Sequence, residues 1–149
     1  MAGNVFSVEP PRSSGGGGGG SSSTQQVQSN IPIIYGGSGV NFANELYLGP
    51  LGYSYSSGGG GYPEPLPVAS TITRVMFKCA AMLLDVVVRL RTSAGVELWS
   101  KTLAAGDTSI DETVSLAVTA GTRVQWSITP ASGTPALDNC TFSWVRTLS

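Results

Sequence analysis

Residues 113–128, TVSLAVTAGTRVQWSI, constrain the fold more than any other stretch of the chain. In both halves of the stretch, apolar side chains alternate with polar or small ones, which is the period of a half-buried β-strand. The break at Thr119, Ala120 and Gly121 predicts a turn, and hence a hairpin with Val118 opposite Val124. In that register six apolar side chains share one face: Val114, Leu116, Val118, Val124, Trp126 and Ile128. A lone hairpin cannot bury such a face, so the stretch predicts packing against a second sheet.

Similar strand patterns recur from residue 42 onward. Turn signals such as Ser93-Ala94-Gly95 separate them about every ten residues, which indicates an all-β sandwich or barrel of about eight antiparallel strands. Prolines 63, 65 and 67 restrict the segment around them to an edge or a connector. Trp126 and Trp144 fall on inward positions, so we expect both in the core. Further strands are predicted at residues 46–48, 72–79, 84–90, 96–103 and 140–145.

The first 41 residues differ in composition from the rest. They contain only two charged side chains, Glu9 and Arg12, together with six consecutive glycines and a Ser/Thr/Gln tract. Such a segment cannot bury enough apolar surface to offset the entropy lost on ordering. We therefore predict an extended Gly/Ser-rich anchoring arm over residues 1–41 and a β-sandwich domain over residues 42–149. Two apolar islands in the arm are candidates for anchoring it to a partner: Val5 and Phe6, then Ile33, Ile34 and Tyr35.

The order of these patterns resembles the jelly-roll-type β-sandwich modules of tailed-bacteriophage virion proteins. The resemblance is carried by LYLGPLG, a Gly/Ser loop, a Pro-rich edge, ITRVMF, VVVRLRTSAGVELW, VSLAVTAGTRVQWSI and a final TFSWV. It implies a jelly-roll-like fold, a homotrimer, and a role as tail fibre, head fibre or capsid decoration protein. It also implies that the arm docks on capsid, portal or tail proteins. A C1q/TNF-like trimer is a neighbouring possibility, but the glycine run lacks the Gly-X-Y period of a collagen stalk.

Few residues suggest chemistry. The chain has no histidine, which excludes a nucleophile–histidine pair, and we expect neither an enzyme nor a cofactor site. Asp107, Asp111 and Glu112 could offer oxygen ligands to calcium, but they lack the spacing of a calcium loop, so we expect no metal site. Cys79 and Cys140 lie far apart in strand patterns, which favours two buried thiols over a disulfide.

Four aromatic residues are candidates for ligand or partner contacts. Tyr53, Tyr55 and Tyr62 stand in a Gly/Ser setting that is typical of adaptable contact surfaces, and they suit contacts within an oligomer equally well. Trp99 could stack on a sugar ring. The alternation of apolar and polar residues around it does not decide whether its side chain points into the core or outward. Because of these residues, the alternative to a structural virion protein is a carbohydrate- or receptor-binding module whose ligand is host surface glycan.

The charge balance of eight basic and nine acidic residues includes no basic run, so we expect no nucleic-acid or membrane partner. The N-terminus MAGNVFSVEPPRSS lacks the basic flank and apolar core of a signal peptide. No apolar run approaches the roughly 20 residues of a membrane helix. We expect a chain that is made in the host cytoplasm and resides in the virion.

Overall fold

The computed structural model describes residues 26–32, 40–49, 52–54 and 63–148. None of these residues forms a helix long and apolar enough to cross a membrane. They form twelve β-strands: β1 (Gln26–Pro32), β2 (Val40–Asn41), β3 (Leu46–Gly49), β4 (Gly52–Ser54), β5 (Glu64–Pro65), β6 (Ser70–Lys78), β7 (Val86–Thr92), β8 (Glu97–Leu103), β9 (Ser109–Val118), β10 (Arg123–Pro130), β11 (Ala136–Leu137) and β12 (Thr141–Leu148).

The strands build two antiparallel sheets. The first sheet has the order β1-β12-β6-β9, and the second has the order β4-β3-β10-β7-β8 with β5 beside β10, while β2 and β11 form a separate small ladder. Eight of the described strands have four or more residues; numbered in chain order, they run 1-8-3-6 in one sheet and 2-7-4-5 in the other. This is the connectivity of a jelly roll, in which two Greek keys supply two packed sheets. The predicted all-β, jelly-roll-like sandwich is confirmed.

The core lies between the inner faces of the sheets. Trp126 of the second sheet is 1% exposed. Its ring stacks on two rings of the first sheet, with centroids 5.7 Å from Phe142 and 6.3 Å from Trp144. On β7, Val86, Val88 and Leu90 are fully buried. The prediction that Trp126 and Trp144 belong to the core is confirmed.

The predicted hairpin of residues 113–128 is wrong in its pairing. β9 pairs with β6 in the first sheet, whereas β10 pairs with β3, β5 and β7 in the second. Four of the six predicted apolar side chains are buried, and Val114 and Leu116 pack half-buried against them. All six therefore face one interior, but they do so from opposite sheets. The two-residue alternation determines which side chains of a strand face inward. It does not determine which other strand pairs with it.

The turn between β9 and β10 is braced by the proline-rich segment. Gly121 donates its N–H to the Leu66 carbonyl at 2.8 Å, and Leu66 donates its own N–H to the Thr122 carbonyl at 2.8 Å. Gly121 has φ +80°, a left-handed conformation that glycine adopts without steric strain. The chain can therefore cross from one sheet to the other within a few residues.

Strand β1 lies inside the range predicted as an anchoring arm. It pairs with β12 along its whole length, from Gln26 opposite Thr147 to Pro32 opposite Thr141. This part of residues 1–41 is thus an edge strand of the first sheet. The anchoring candidates Val5, Phe6, Ile33, Ile34 and Tyr35 lie outside the described residues, so their role stays a prediction.

Both cysteines are buried and free, which confirms the predicted pair of buried thiols. Burial raises the pKa of the Cys79 thiol to about 11. Burial, with a smaller contribution from the neighbouring Cys79, raises the pKa of Cys140 to about 12. Because the neutral thiol is the form favoured in the apolar interior, both groups behave as small hydrophobic side chains.

Candidate functional site

The outer face of the second sheet carries a network of polar and charged side chains, which we call the polar face. The strand register brings its members together, because Ser127 of β10 lies opposite Tyr47 of β3 on one side and opposite Arg89 of β7 on the other. The members of the polar face are Glu45, Tyr47, Arg89, Arg91, Glu97, Ser100, Ser127 and Thr129.

The Glu45 carboxylate lies at the centre of the polar face. Its Oε1 accepts a hydrogen bond from Ser127 Oγ at 2.7 Å and lies 2.9 Å from Arg91 Nε. Its Oε2 accepts a hydrogen bond from the Tyr47 hydroxyl at 3.0 Å. Burial, together with the hydrogen bond to Glu45, raises the pKa of Tyr47, so the phenol keeps the proton that it donates. The side chain of Glu45 is only 24% exposed, and the hydroxyl donors of Ser127 and Tyr47, together with the charge of Arg91, replace much of its lost hydration.

Two arginines connect Glu45 to a second carboxylate, Glu97. Arg89 Nε donates to Glu97 Oε2 at 3.0 Å and Arg89 Nη1 donates to Thr129 Oγ1 at 2.6 Å. Arg91 Nη1 donates to the Gly95 carbonyl at 2.9 Å. A hydrogen bond from Ser100 lowers the pKa of Glu97, and the charges of the two arginines lower it further. The result is a neutral surface with two positive and two negative side chains whose donors and acceptors are held in fixed positions.

This arrangement suits recognition more than proton transfer. Each carboxylate is paired with a guanidinium and acts as a hydrogen-bond acceptor. A neutral face of fixed donors and acceptors can bind hydroxyl groups or the main chain of a partner without attracting polyanions. The chemistry of the polar face is therefore that of a contact surface.

Trp99 lies at the open edge where β8 of one sheet approaches β9 of the other. A β-bulge between Leu90 and Arg91 leaves Leu98 as the extra residue of β8, so Leu98 and Trp99 both pack half-buried against the core. This bulge explains why alternation alone left the face of Trp99 undecided. The indole meets Trp126 edge-on at 6.1 Å, and its Nε1–H donates to Glu112 Oε2 at 2.9 Å. Stacking of Trp99 on a sugar stays a prediction.

The acidic residues considered for calcium do not converge. Asp111 and Glu112 are neighbours on one strand and point to opposite faces. Asp111 accepts two hydrogen bonds from Arg74 on the outer face of the first sheet, which lowers the pKa of Asp111. Glu112 turns inward to Trp99 and Lys101. Within the described residues, no group of three or more His, Cys, Asp or Glu side chains could hold a metal ion.

The predicted tyrosines are only partly placed. Tyr53 lies in β4 opposite Leu48, and Tyr55 and Tyr62 lie outside the described residues. Their contact role stays a prediction. Sequence reasoning missed the centre of the polar face, Glu45. Joining Glu45 to its partners requires the cross-strand register of β3, β10 and β7, which one sequence does not reveal.

The sequence matches no protein-family model and no curated protein. Among solved structures, it is similar to the VP2 subviral particle of infectious bursal disease virus, with TM-score 0.37 and 12% identity over 85% of this chain. The chain spans only 33% of that viral chain. Two carbohydrate-binding modules are comparably similar. The CBM6cm-2 module of Cellvibrio mixtus lichenase 5A, in complex with cellotriose, has TM-score 0.36 and 12% identity over 81% of this chain and 96% of that one. The C-terminal CBM6 of LamC from Zobellia galactanivorans has TM-score 0.33 and 17% identity over 83% of this chain and 100% of that one.

TM-scores this low do not support an inference about function from these structures. The fold class is established by the strand order of the chain itself. That strand order defines a jelly-roll β-sandwich, and the second sheet of this sandwich carries the polar face on its outer side.

Proposed function

We propose that this chain is a structural protein of bacteriophage virions. In this proposal it is a surface fibre or capsid decoration subunit that assembles as a homotrimer and is attached to other virion proteins by its N-terminal segment. The proposed role is structural and not catalytic.

The observation that carries the proposal is the outer face of the first sheet. The register aligns side chains in rows across β9, β6 and β12. One row contains Ala117, Thr71 and Thr147, and another contains Thr113, Arg74 and Val145. Threonine and serine are the most frequent residues on this face, and its charged side chains are Lys78 and the salt-bridged pair of Arg74 and Asp111. A face with so little net charge has little to keep copies of the chain apart, which supports repeated protein–protein contact.

Valines at outward positions support the same proposal. Val145 lies on the outer face of the first sheet and Val87 on the outer face of the second, where Val87 is flanked by Thr129 and Thr102. Both side chains are half-buried in the single chain. A subunit partner would cover the remaining apolar surface. The choice of three copies follows the resemblance to phage modules, since symmetry alone favours dimers.

Mass spectrometry of purified particles of the phage that encodes this chain tests the proposed function. We expect the chain in the particles at a copy number that is a multiple of three. Particles produced with Val145→Lys should contain less of it, because the lysine charge would be buried in the subunit contact. Val96→Lys is the matched control, because Val96 is 59% exposed in the turn between β7 and β8. Absence of the chain from purified particles contradicts the proposal.

A carbohydrate-binding module is the second candidate, and the polar face is the observation that favours it. Tyr47 offers an aromatic ring beside the fixed donors and acceptors of Glu45 and Arg91, a combination that suits sugar hydroxyls and ring faces. A glycan array with the whole chain tests this candidate. We expect Tyr47→Ala to abolish any signal that depends on the polar face, whereas an array without signal removes the candidate.

A further inference from the structure

The two cysteines occupy matching positions at one end of the first sheet. Cys79 directly follows β6, and Cys140 directly precedes β12. The last pair of the ladder between these strands is Lys78 opposite Thr141. Continuing the antiparallel register by one residue places Cys79 opposite Cys140. The only two thiols of the chain are therefore cross-strand neighbours.

Both cysteine side chains point into the sandwich. The next inward pair on the same two strands is Phe77 and Phe142, whose ring centroids lie 5.4 Å apart. Because alternate residues of a strand share a face, the two thiols lie on the same inner side as these rings. Cys79 is 5% exposed and Cys140 is fully buried. Burial is the main cause of the raised pKa of Cys140, and the nearby Cys79 sulfur raises this pKa further.

The backbone brings the two cysteines within the range of a disulfide. The Cys79 N–H donates to the carbonyl of Thr108 at 2.9 Å, on the side of β9. The main-chain groups of Cys79 therefore point away from β12, and Cys79 and Cys140 form a pair without main-chain hydrogen bonds between them. In such pairs the Cα atoms lie about 4.5 Å apart, and the side chains are closer than in hydrogen-bonded pairs. This separation falls within the roughly 4.4–6.8 Å that a disulfide spans, so the backbone does not prevent the bond.

We propose that Cys79 and Cys140 form a disulfide in an oxidising medium, and that this bond links the end of β6 to the start of β12. The two residues stay thiols in a reducing compartment such as a cytoplasm. The bond closes a loop of roughly 60 residues that includes β7 to β11, so it restricts the unfolded chain and stabilises the fold. This inference goes beyond the proposed function and does not depend on it.

The oxidant is a low-molecular-weight disulfide such as oxidised glutathione. It gains access by local opening, which is easier at the end of a ladder than at its centre. The Cys79 thiolate attacks one sulfur of the oxidant, and one glutathione thiolate leaves and takes up a proton. The Cys140 thiolate then attacks the Cys79 sulfur, and the second glutathione leaves in the same way. In total the two cysteines lose two protons and two electrons, and the oxidant gains both and becomes two thiols.

Equilibration of the whole chain in a glutathione redox buffer tests this inference. One sample is folded, and another is unfolded in concentrated urea at the same ratio of reduced to oxidised glutathione. Folded samples start both from the reduced chain and from chain oxidised in urea, and incubation continues until the two agree. Peptide mapping by mass spectrometry then measures the ratio of the Cys79–Cys140 disulfide to the free dithiol in each sample.

Folding aligns the two thiols, so it should favour the bond. We expect the ratio of disulfide to dithiol to be at least roughly 30-fold higher in the folded chain than in urea, the factor that corresponds to the lower end of the usual stabilisation by a disulfide. An equal or lower ratio in the folded chain overturns the inference. Glutathione adducts or disulfide-linked dimers as the main product of the folded chain overturn it as well.

A thiol moved by one position is the matched control. The variant carrying both Cys140→Ala and Thr141→Cys has its second thiol at an exposed position opposite Lys78. That thiol and Cys79 face opposite sides of the sheet, so we expect folding to give no increase in the ratio of cross-linked to free thiols. An increase as large as in the unchanged chain would contradict the alignment of Cys79 with Cys140.

Calorimetry gives a second measurement that needs no variant. The oxidised chain should have a Tm at least about 4 °C above that of the reduced chain, because the loop closed by the bond limits the entropy of the unfolded state. An equal or lower Tm after oxidation would mean that the bond strains the two strands, and it overturns the inference.

Discussion

At the scale of single residues, Trp126 connects the two sheets. It packs on Phe142 and Trp144 of the first sheet and meets Trp99 at the open edge. We expect Trp126→Ala to lower the free energy of unfolding by about 3–5 kcal/mol, because it leaves a large cavity between the sheets. Urea denaturation measures the change.

Val96→Ala is the control for Trp126→Ala. Val96 is 59% exposed, so its truncation should change the free energy of unfolding by no more than about 0.5 kcal/mol. A loss below about 1 kcal/mol for Trp126→Ala would contradict the central position of this tryptophan.

The two buried thiols predict a dependence of stability on pH. In the folded chain the pKa of Cys79 is about 11 and that of Cys140 is about 12, whereas an unfolded thiol titrates near about 8.5. Between about pH 9 and pH 11 the unfolded chain therefore loses thiol protons that the folded chain retains. The free energy of unfolding should fall as the pH rises through this range. Urea denaturation at pH 8 and pH 10 measures the fall.

The control for the pH experiment is the chain carrying both Cys79→Ala and Cys140→Ala. Other groups, including Tyr47, also titrate at high pH, so the relevant quantity is the difference in slope between the two proteins. We expect the smaller slope in the variant. Equal slopes in both proteins would show that the thiols are not the cause.

Single residues also show how far sequence reasoning extends. Inward positions such as Trp126, Trp144 and Cys140 follow from alternation, because neighbouring residues on a strand point to opposite faces. Alternation could not decide the position of Trp99, because a bulge at Leu98 breaks the period. The Glu45 network could not be predicted either, since its members are brought together by pairing between strands distant in sequence.

At the scale of strands, β9 and β10 show the same limit. The sequences of β9 and β10 have the pattern of two strands joined by a turn. A hairpin within one sheet and a crossing between two sheets produce the same two-residue alternation and the same glycine turn. What separates them is the available partner, β6 for β9 and β7 for β10. These partners are fixed by the packing of the whole sandwich.

Strand β1 leads to a prediction about truncation. A chain starting at residue 26 retains β1, and a chain starting at residue 33 lacks it. We expect the first to keep the Tm of the whole chain. We expect the second to melt at least about 4 °C lower, the shift produced by roughly 1–2 kcal/mol in a domain of this size, because the edge of β12 loses its pairing partner. Differential scanning calorimetry measures both, and equal Tm values would contradict a stabilising role for β1.

At the scale of the whole molecule, the fold class was predictable and the strand order was not. Repeated alternation with regular turn signals is typical of an antiparallel sandwich. The jelly-roll strand order is predicted only by the resemblance to known modules. The structure shows how this order arises, because the chain crosses between the two sheets. The outer faces of these sheets, one with few charges and one whose charges form internal ion pairs, support the proposed assembly.

The mass of the whole chain in solution tests the proposed assembly most directly. Multi-angle light scattering coupled to size-exclusion chromatography, over a hundredfold range of concentration, should give three times the chain mass of 15.3 kDa. Val145→Lys should shift the mass toward one copy, and Val96→Lys should leave it at three. A mass of 15.3 kDa that persists at the highest concentration would contradict the account.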